Sequence, residues 1–348
     1  MLKFIKILAV ALVSVLAVAT NSPTTAPPTA YAQAQTDPLP SWNDGAAKKT
    51  IVDFVARVSR EGSPDYVAPE LRIATFDNDG TLWIEQPMYV QGMFVLDRVR
   101  AMGRTDASLL ARQPFQAVAE GGLKGMSEVG EHGLAELVAA THSGMTTEDF
   151  EQIAKEWIAA AKHPRFNRLY TQLVYQPQIE LLDYLRANGF KTFIVSGGGV
   201  DFMRAFAEKS YGIPPEQVIG SSGKTRFDLR NGNAFLVKLP ELNSIDDKAG
   251  KPININLQIG RRPLLAFGNS DGDLQMLQYA AGSPGPRLML LVHHDDAVRE
   301  YAYDRDSKVG KLDKALDEAT TRNWTVVSMK NDWRTIFPTD EGRAVKPQ

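Results

Sequence analysis

Asp77 and Asp79 stand two residues apart in the run Asp77-Asn78-Asp79-Gly80-Thr81, directly after the apolar stretch 71–76. Carboxylates this close repel each other unless a cation or a proton relieves them, so the pair asks for a metal, an acid/base couple, or both. Further along, residues 192–195 lead into Ser196-Gly197-Gly198-Gly199. One hydroxyl followed by free backbone N–H groups can cradle an anion. Lys251, with Lys248 as close competitor, precedes the next apolar run, and an ammonium there can neutralise an anion or a neighbouring carboxylate. Residues 264–267 then run into Gly268-Asn269-Ser270-Asp271-Gly272-Asp273. The Asn269 amide oxygen can ligate Mg²⁺ but cannot neutralise it.

These groups need elements that bring them to one edge. Short apolar runs bounded by turn signals at 71–76, 191–195, 264–267 and 288–292 read as buried strands, with a candidate last strand at 324–328. Helical spacing marks 47–60, 89–101, 134–141, 147–161, 178–187, 201–208 and 271–281. Thr146 to Asp149 supplies a capping start to the fourth element of that series. The glycine-rich stretch 120–133 reads as loop, and Asn231-Gly232 reads as the turn of a hairpin joining 225–229 to 234–239. Alternating helices and buried strands predict a doubly wound, mostly parallel α/β sheet. In such sheets ligands bind at the carboxyl ends of the strands, where all four chemical turns fall. From about 88 to 176 no convincing strand run occurs, so a helical insert interrupts the core after its first strand.

Taken in order, the four turns resemble the motifs of the haloacid dehalogenase superfamily, most of whose members are phosphatases. The resemblance covers about residues 71 to 300 and points to the capped, phosphoserine-phosphatase-like branch. It implies a Rossmann-like core at 47–88 and 177–338, a helical C1 cap at 89–176, and a C-terminal tail at 339–348. It further implies Asp77 as the nucleophile that forms an aspartyl-phosphate and Asp79 as the general acid and base. Ser196, the Gly197 and Gly198 backbone and Lys251 would hold the phosphate oxygens; Thr81 would fix the loop or the phosphate. Lys251 is favoured over Lys248 because it opens a predicted helix, as the family's lysine usually does. Mg²⁺ would be held by Asp77, Asp79 through its carbonyl, Asn269 and Asp273. The family's usual first acid of the last motif is replaced by Asn269, and Asp271 is an extra carboxylate that could compensate. Haloacid dehalogenases proper lack an acid at the position of Asp79, so its presence favours phosphoryl chemistry.

The N-terminus is of a different kind. Lys3 and Lys6 precede a short apolar run, 7–19, and small residues follow, which reads as a secretory signal peptide spanning 1–34 with a flexible lead-in at 35–46. Candidate cleavage sites follow Ala19, Ala32 and Ala34. The expected location is periplasmic or secreted, with no stable membrane anchor after cleavage. The chain has no cysteine, which excludes disulfides, thiolate catalysis and Cys metal sites. With 39 Lys and Arg against 41 Asp and Glu, nothing recommends nucleic acid or an anionic membrane as partner.

A small phosphate ester is the expected substrate, with the cap setting specificity. Glu85, Arg165, Arg168, Tyr170 and Tyr175 lie where the chain leaves for the insert and returns, and are candidate substrate contacts. Phosphoserine phosphatases usually carry a Glu nine positions after the nucleophile; here Gln86 stands there, with Glu85 adjacent. His293-His294-Asp295-Asp296 lacks the converging partners of a zinc site and reads as a polar strand end. His132, His142 and His163 read as structural or surface groups. Two rivals stay open: a phosphomutase of the same superfamily, and a non-catalytic periplasmic binding protein that kept the fold.

Overall fold

The computed structural model describes residues 37–339. The expected signal peptide and most of the tail lie outside the described residues. The lead-in is not flexible from residue 38 onward: Leu39 and Trp42 are buried in the core, Trp42 Nε1 donates to the Pro177 carbonyl at 2.9 Å, and Ser41 Oγ donates to Glu180 at 2.7 Å. In chain order the elements are α1 (Ala46–Ser59), β1 (Ile73–Phe76), α2 (Val90–Thr105), α3 (Phe115–Glu128), α4 (Gly130–His142), α5 (Thr147–Ala160) and α6 (Gln176–Ala187). Then come β2 (Lys191–Gly199), α7 (Val200–Arg204), α8 (Ala207–Tyr211), β3 (Val218–Arg230), β4 (Asn233–Ser244), α9 (Gly250–Gln258) and β5 (Leu265–Gly268). The chain ends with α10 (Leu274–Ala281), β6 (Leu288–Asp295), β7 (Ala302–Tyr303), α11 (Lys314–Arg322), β8 (Thr325–Ser328) and α12 (Met329–Asp332).

The strands form one sheet in the order β4-β3-β2-β1-β5-β6-β7, with β8 also pairing β6. Only the β3–β4 and β6–β7 pairs are antiparallel. β1 lies at the centre, where β2 and β5 flank it and both faces are covered, which is why its four residues are all buried and read as a continuous apolar run. The register decides the site. Phe76 pairs with Ile194 on one side and Phe267 on the other. The residues that follow each partner therefore emerge together, and Asp77 N–H still donates to the Phe267 carbonyl at 2.9 Å.

Helices α2 to α5 interrupt the core between β1 and β2, with no named strand among them. The outgoing and returning stems bridge each other: Ile84 N–H donates to the Leu173 carbonyl and Tyr175 N–H to the Leu82 carbonyl. One face of α2, with α3 and α4, builds a separate apolar cluster around Val95, Val99, Phe115 and Leu137. Phe150, Ala154 and Ile158 of α5 join the main core instead. α5 starts on a reciprocal cap, Thr146 Oγ1 accepting from Asp149 N–H while the Asp149 carboxylate accepts from Thr146 N–H. No helix among the described residues is long and apolar enough to cross a membrane.

Several local expectations need correction. The glycine-rich stretch 120–133 is helical, not loop: α3 kinks at Gly122, whose φ is +57°, and continues. The reason is close approach; a Cβ at Gly125 would stand 1.9 Å from the Ala117 carbonyl oxygen, so the glycine permits the fold-back. The helix expected over 201–208 is split into α7 and α8, and Phe206 at the break stacks on Trp83, centroids 4.4 Å apart. The expected hairpin is only the far half of longer strands. β3 begins as a parallel partner of β2, changes to β4 at Ser222, and passes register shifts between Ser222 and Thr225 before the regular hairpin. Its turn has φ of +50° at Asn231 and +81° at Gly232, the pair of positive values that the two-residue turn requires. The helix expected from 271 begins with a 3-10 turn, Asp271–Asp273.

Candidate active site

Asp77 is 6 % exposed, and its Oδ1 accepts from Lys251 Nζ at 2.7 Å. The same ammonium donates to Asp273 Oδ1 at 2.5 Å and to the Val195 carbonyl at 2.8 Å, so all three of its protons are used. Lys251 sits in the first turn of α9. Lys248 does not reach the site: its side chain is exposed beside Asp247. Burial would drive the Lys251 proton off, but the Asp273 and Asp77 charges outweigh it and hold the ammonium. Burial, and then Asp273, push the Asp77 carboxyl up to about 7, against the pull of Lys251.

The turn after Asp77 is tightly wound. The Asn78 carbonyl accepts from the N–H groups of Thr81, Leu82 and Trp83, and the Asn78 side chain accepts from Tyr211 OH at 3.0 Å. Gly80 takes φ +74°. Its carbonyl accepts from His294 Nε2 at 2.8 Å. Asp79 is half-buried, and its Oδ1 accepts from Trp83 Nε1 at 2.8 Å. Burial raises its carboxyl to about 6, and the Trp83 bond opposes the rise.

Ser196 is 2 % exposed at the end of the regular part of β2. The strand runs on to Gly199 rather than stopping at Ser196, because a bulge intervenes: Ser196 pairs with Gly220 and Gly199 with Ser221, leaving Gly197 and Gly198 unpaired. Gly198 N–H lies 3.4 Å from Ser196 Oγ, and a Cβ on Gly198 would stand 3.7 Å from Asp79 Oδ2. Gly199 N–H is taken by Gln91 Oε1 of α2 at 2.7 Å, and Gln91 Nε2 meets His142 Nε2 at 3.0 Å. Burial, and then Lys238, push the His142 imidazole down to about 3, so it is neutral at ordinary pH.

The turn after β5 divides its donors. Asn269 is 1 % exposed; its Oδ1 accepts from Thr81 Oγ1 at 2.9 Å and its Nδ2 donates to Glu85 Oε1 at 2.7 Å. Thr81 thus fixes the loop against the last motif. Asp273 differs from an open metal ligand. Its Oδ2 accepts from Asn269 N–H, Ser270 N–H and Ser270 Oγ, and its Oδ1 from Lys251. Both oxygens are already spent on protein donors. Asp271 does not compensate for Asn269, since its Oδ1 accepts from Asp313 N–H and Ala315 N–H at the start of α11.

The expected substrate contacts are turned elsewhere. Glu85 is 1 % exposed and bonded to Asn269 and to Tyr303 OH, at 2.7 and 2.8 Å. Arg165 donates to the carbonyls of Ala297 and Glu300, and Arg168 to that of Pro338. Tyr170 is buried in the core, and Tyr175 OH donates to Glu300 at 3.3 Å. His163 accepts from Arg165 N–H at Nδ1, which leaves Nε2 to donate to the Gln86 carbonyl. His293 meets Asp304, while Asp295 and Asp296 bind β8–α12 and Arg299, so the tetrad does not converge. His294 is not part of a polar rim: it is buried, stacked on Tyr303 at 4.4 Å and bonded to the Gly80 carbonyl. Tyr303, Gln91 and Trp83 are further parts of the site's frame that carried no motif; only the position of His294 at a strand's carboxyl end hinted at its place.

The charges do not balance. Among the described residues, the carboxyls of Asp77, Asp79, Glu85 and Asp273 gather round one ammonium, Lys251, and burial raises the first three above the usual carboxylate range. Among the described residues no three His, Cys, Asp or Glu side chains are grouped as a metal cage. The donors on offer are oxygens: the Asp77 carboxylate, the Asn269 amide and the turn's backbone carbonyls. A carboxylate set in excess over its cations, with hard oxygen donors, fits a small divalent cation.

A conserved protein of unknown function from Anaerococcus prevotii has a similar structure, with 17 % identity, TM-score 0.53, and coverage of 81 % of this chain and 90 % of that one. A Bordetella pertussis protein of unknown function (15 % identity, 74 % and 97 % covered, TM-score 0.46) and a phosphoserine phosphohydrolase-like protein from Francisella tularensis (15 %, 72 % and 99 %, 0.35) are more distant. The first shares the fold, and nothing about this chain's chemistry follows from the other two. No curated protein matches the chain. A model of the haloacid dehalogenase-like hydrolases matches residues 74–278, from the first core strand to the helix after the last of the four turns. That span is more than half of the sequence, and the chain belongs to this hydrolase family.

Proposed function

We propose that the protein is a Mg²⁺-dependent phosphomonoesterase that works through an aspartyl-phosphate on Asp77. The observation that carries the reading is the contact of Lys251 with Asp77, beside a second carboxyl, Asp79, raised to about 6. Asp77 attacks phosphorus in line, with Lys251 shielding the approach of one anion to another. Asp79 protonates the leaving oxygen and then takes a proton from the water that hydrolyses the intermediate. Ser196 Oγ and the amides of the bulge at Gly197 and Gly198 hold the equatorial oxygens. Mg²⁺, held by Asp77, the Asp79 carbonyl and Asn269, would supply charge neutralisation. Asp273 serves by holding Lys251 and the Asn269 turn.

The substrate is a small phosphate ester. Export to the periplasm or medium is part of the same proposal, supported by the basic start and apolar run at 3–19; finding the intact N-terminus in the cytoplasmic fraction would remove it. The reaction class is tested by phosphate release from an aryl phosphate and a panel of small esters. Turnover that needs Mg²⁺, stops with EDTA and is lost in Asp77→Asn is expected. Isomerisation without phosphate release would replace the reading with a phosphomutase, and tight ester binding without turnover would replace it with a binding protein.

A further inference from the structure

Asn269 poses a question that the proposed reaction leaves open. It stands where the family's pattern has a carboxylate, and an amide brings no charge to a divalent cation. The nearest side chain on its far end is Glu85, whose Oε1 accepts from Asn269 Nδ2 at 2.7 Å. Both residues are 1 % exposed. The acceptor on Glu85 is the oxygen that also receives Tyr303 OH, so the amide turns its nitrogen towards Glu85. That leaves Oδ1 as the one Asn269 side-chain atom able to ligate a cation, on the side held by Thr81 Oγ1.

The carboxyl is built in. Tyr303 OH donates to the same Oε1 at 2.8 Å. Two glycines with left-handed backbone, Gly80 at φ +74° and Gly310 at φ +66°, close over it. A Cβ on Gly80 would stand 2.3 Å from Glu85 Oε1, and one on Gly310 only 1.9 Å away. Neither position tolerates a side chain while Glu85 stays where it is. A buried acid with this much structure arranged around it calls for a role, and its hydrogen-bond partner names one.

Resting on the metal reading above, we infer that Glu85 and Asn269 together replace one ligand carboxylate. The amide touches the cation, and Glu85, one hydrogen bond away, holds the amide with its oxygen towards the metal. Glu85 is thus a positioning residue for the cation and not a contact for the substrate's leaving group.

The inference makes an exchange prediction. In Glu85→Gln the carboxyl that orients the amide becomes an amide that can face Asn269 with either end. In the double variant Glu85→Gln, Asn269→Asp the ligand position carries a carboxylate that needs no orienting, and the introduced glutamine amide can donate the hydrogen bond that Asn269 donated before. Mg²⁺ binding to metal-free protein is measured by calorimetry without substrate, together with the Mg²⁺-induced shift of the melting temperature. Loss of an outer carboxylate lowers metal affinity about 10–100-fold, and that loss is expected for Glu85→Gln. The double variant is expected to recover most of it. Unchanged affinity in Glu85→Gln, or a double variant as weak as the single one, would overturn the inference while leaving the phosphatase reading intact. If Glu85→Gln does not fold, the double variant decides alone: near-native Mg²⁺ affinity supports the exchange and weak binding refutes it. A wild-type protein that shows neither heat nor thermal shift with Mg²⁺ would remove the metal reading, and this inference with it.

Discussion

Replacing Trp83 by Phe should shift the pH dependence of turnover towards alkali. Trp83 Nε1 donates to Asp79 Oδ1 at 2.8 Å, a bond that favours the ionised carboxylate. Burial has raised Asp79 to about 6, and the indole keeps it from going higher. A hydrogen bond to a charged acceptor contributes about 1.5–3 kcal/mol, and about 1.4 kcal/mol corresponds to one pKa unit, so losing it should lift Asp79 by about 1–2 units. In the proposed reaction Asp79 must be protonated to help the leaving oxygen depart, hence the alkaline limb of kcat/KM for an alkyl phosphate should move up by about the same 1–2 units. An aryl phosphate, whose leaving group needs less help, should show a smaller shift. Phenylalanine keeps part of the stack on Phe206, so the stability cost should stay below the about 3–5 kcal/mol of a full truncation to alanine. The assay is the pH profile of both substrates for wild type and variant, with folding checked by denaturant titration. An alkaline limb that stays fixed or moves down in a folded variant would refute the role given to Trp83 and to Asp79.

Metal-free protein should lose stability as pH rises from about 4 to about 7, because Asp77 and Asp79 titrate near 7 and 6 when folded and near 3.8 when not. In that window the folded state holds the extra protons; melting temperatures in EDTA should therefore fall with pH, and Asp77→Asn should flatten the slope. Lys251→Met should cost about 3–5 kcal/mol, since it strands Asp77 and Asp273 as buried charges. Lys248→Met, at an exposed site, should change the denaturant midpoint by no more than about 0.5 kcal/mol, and equal effects from the two lysines would contradict the geometry. Asp271→Ala should destabilise by about 1 kcal/mol through loss of the cap on α11, with Mg²⁺ affinity unchanged in calorimetry.

What could be read ahead of the structure was whatever the strand ends announce locally. A buried run followed by a polar turn identifies Asp77, Ser196 and Asn269 without knowledge of the sheet order, because each signal is contiguous in sequence. What those turns touch is another matter. Glu85 and Tyr303 are separated by 218 residues, and no periodicity ties one to the other. Arg165 and Tyr175 carry chemistry-bearing side chains at the mouth of the insert, yet both are absorbed by Glu300 and its neighbours. The glycines of 120–133 misled because glycine marks either a loop or a close packing contact, and only tertiary structure separates the two. The bulge at Gly197 and Gly198 was hidden for a related reason: the turn signal was present, but β3 had to be placed alongside before the strand could be seen to continue.

Gly310, lying against Glu85, and His294, bonded to the Gly80 carbonyl, both follow the last residue of the family match. The portable unit is therefore longer than the motifs suggest. A fragment cut after residue 278 would keep Asp77, Lys251 and Asn269, but would leave one wall of the site open to water and the Glu85 carboxyl without its lining. Anyone grafting, truncating or permuting this catalytic core should treat the stretch from 288 to 313 as part of it.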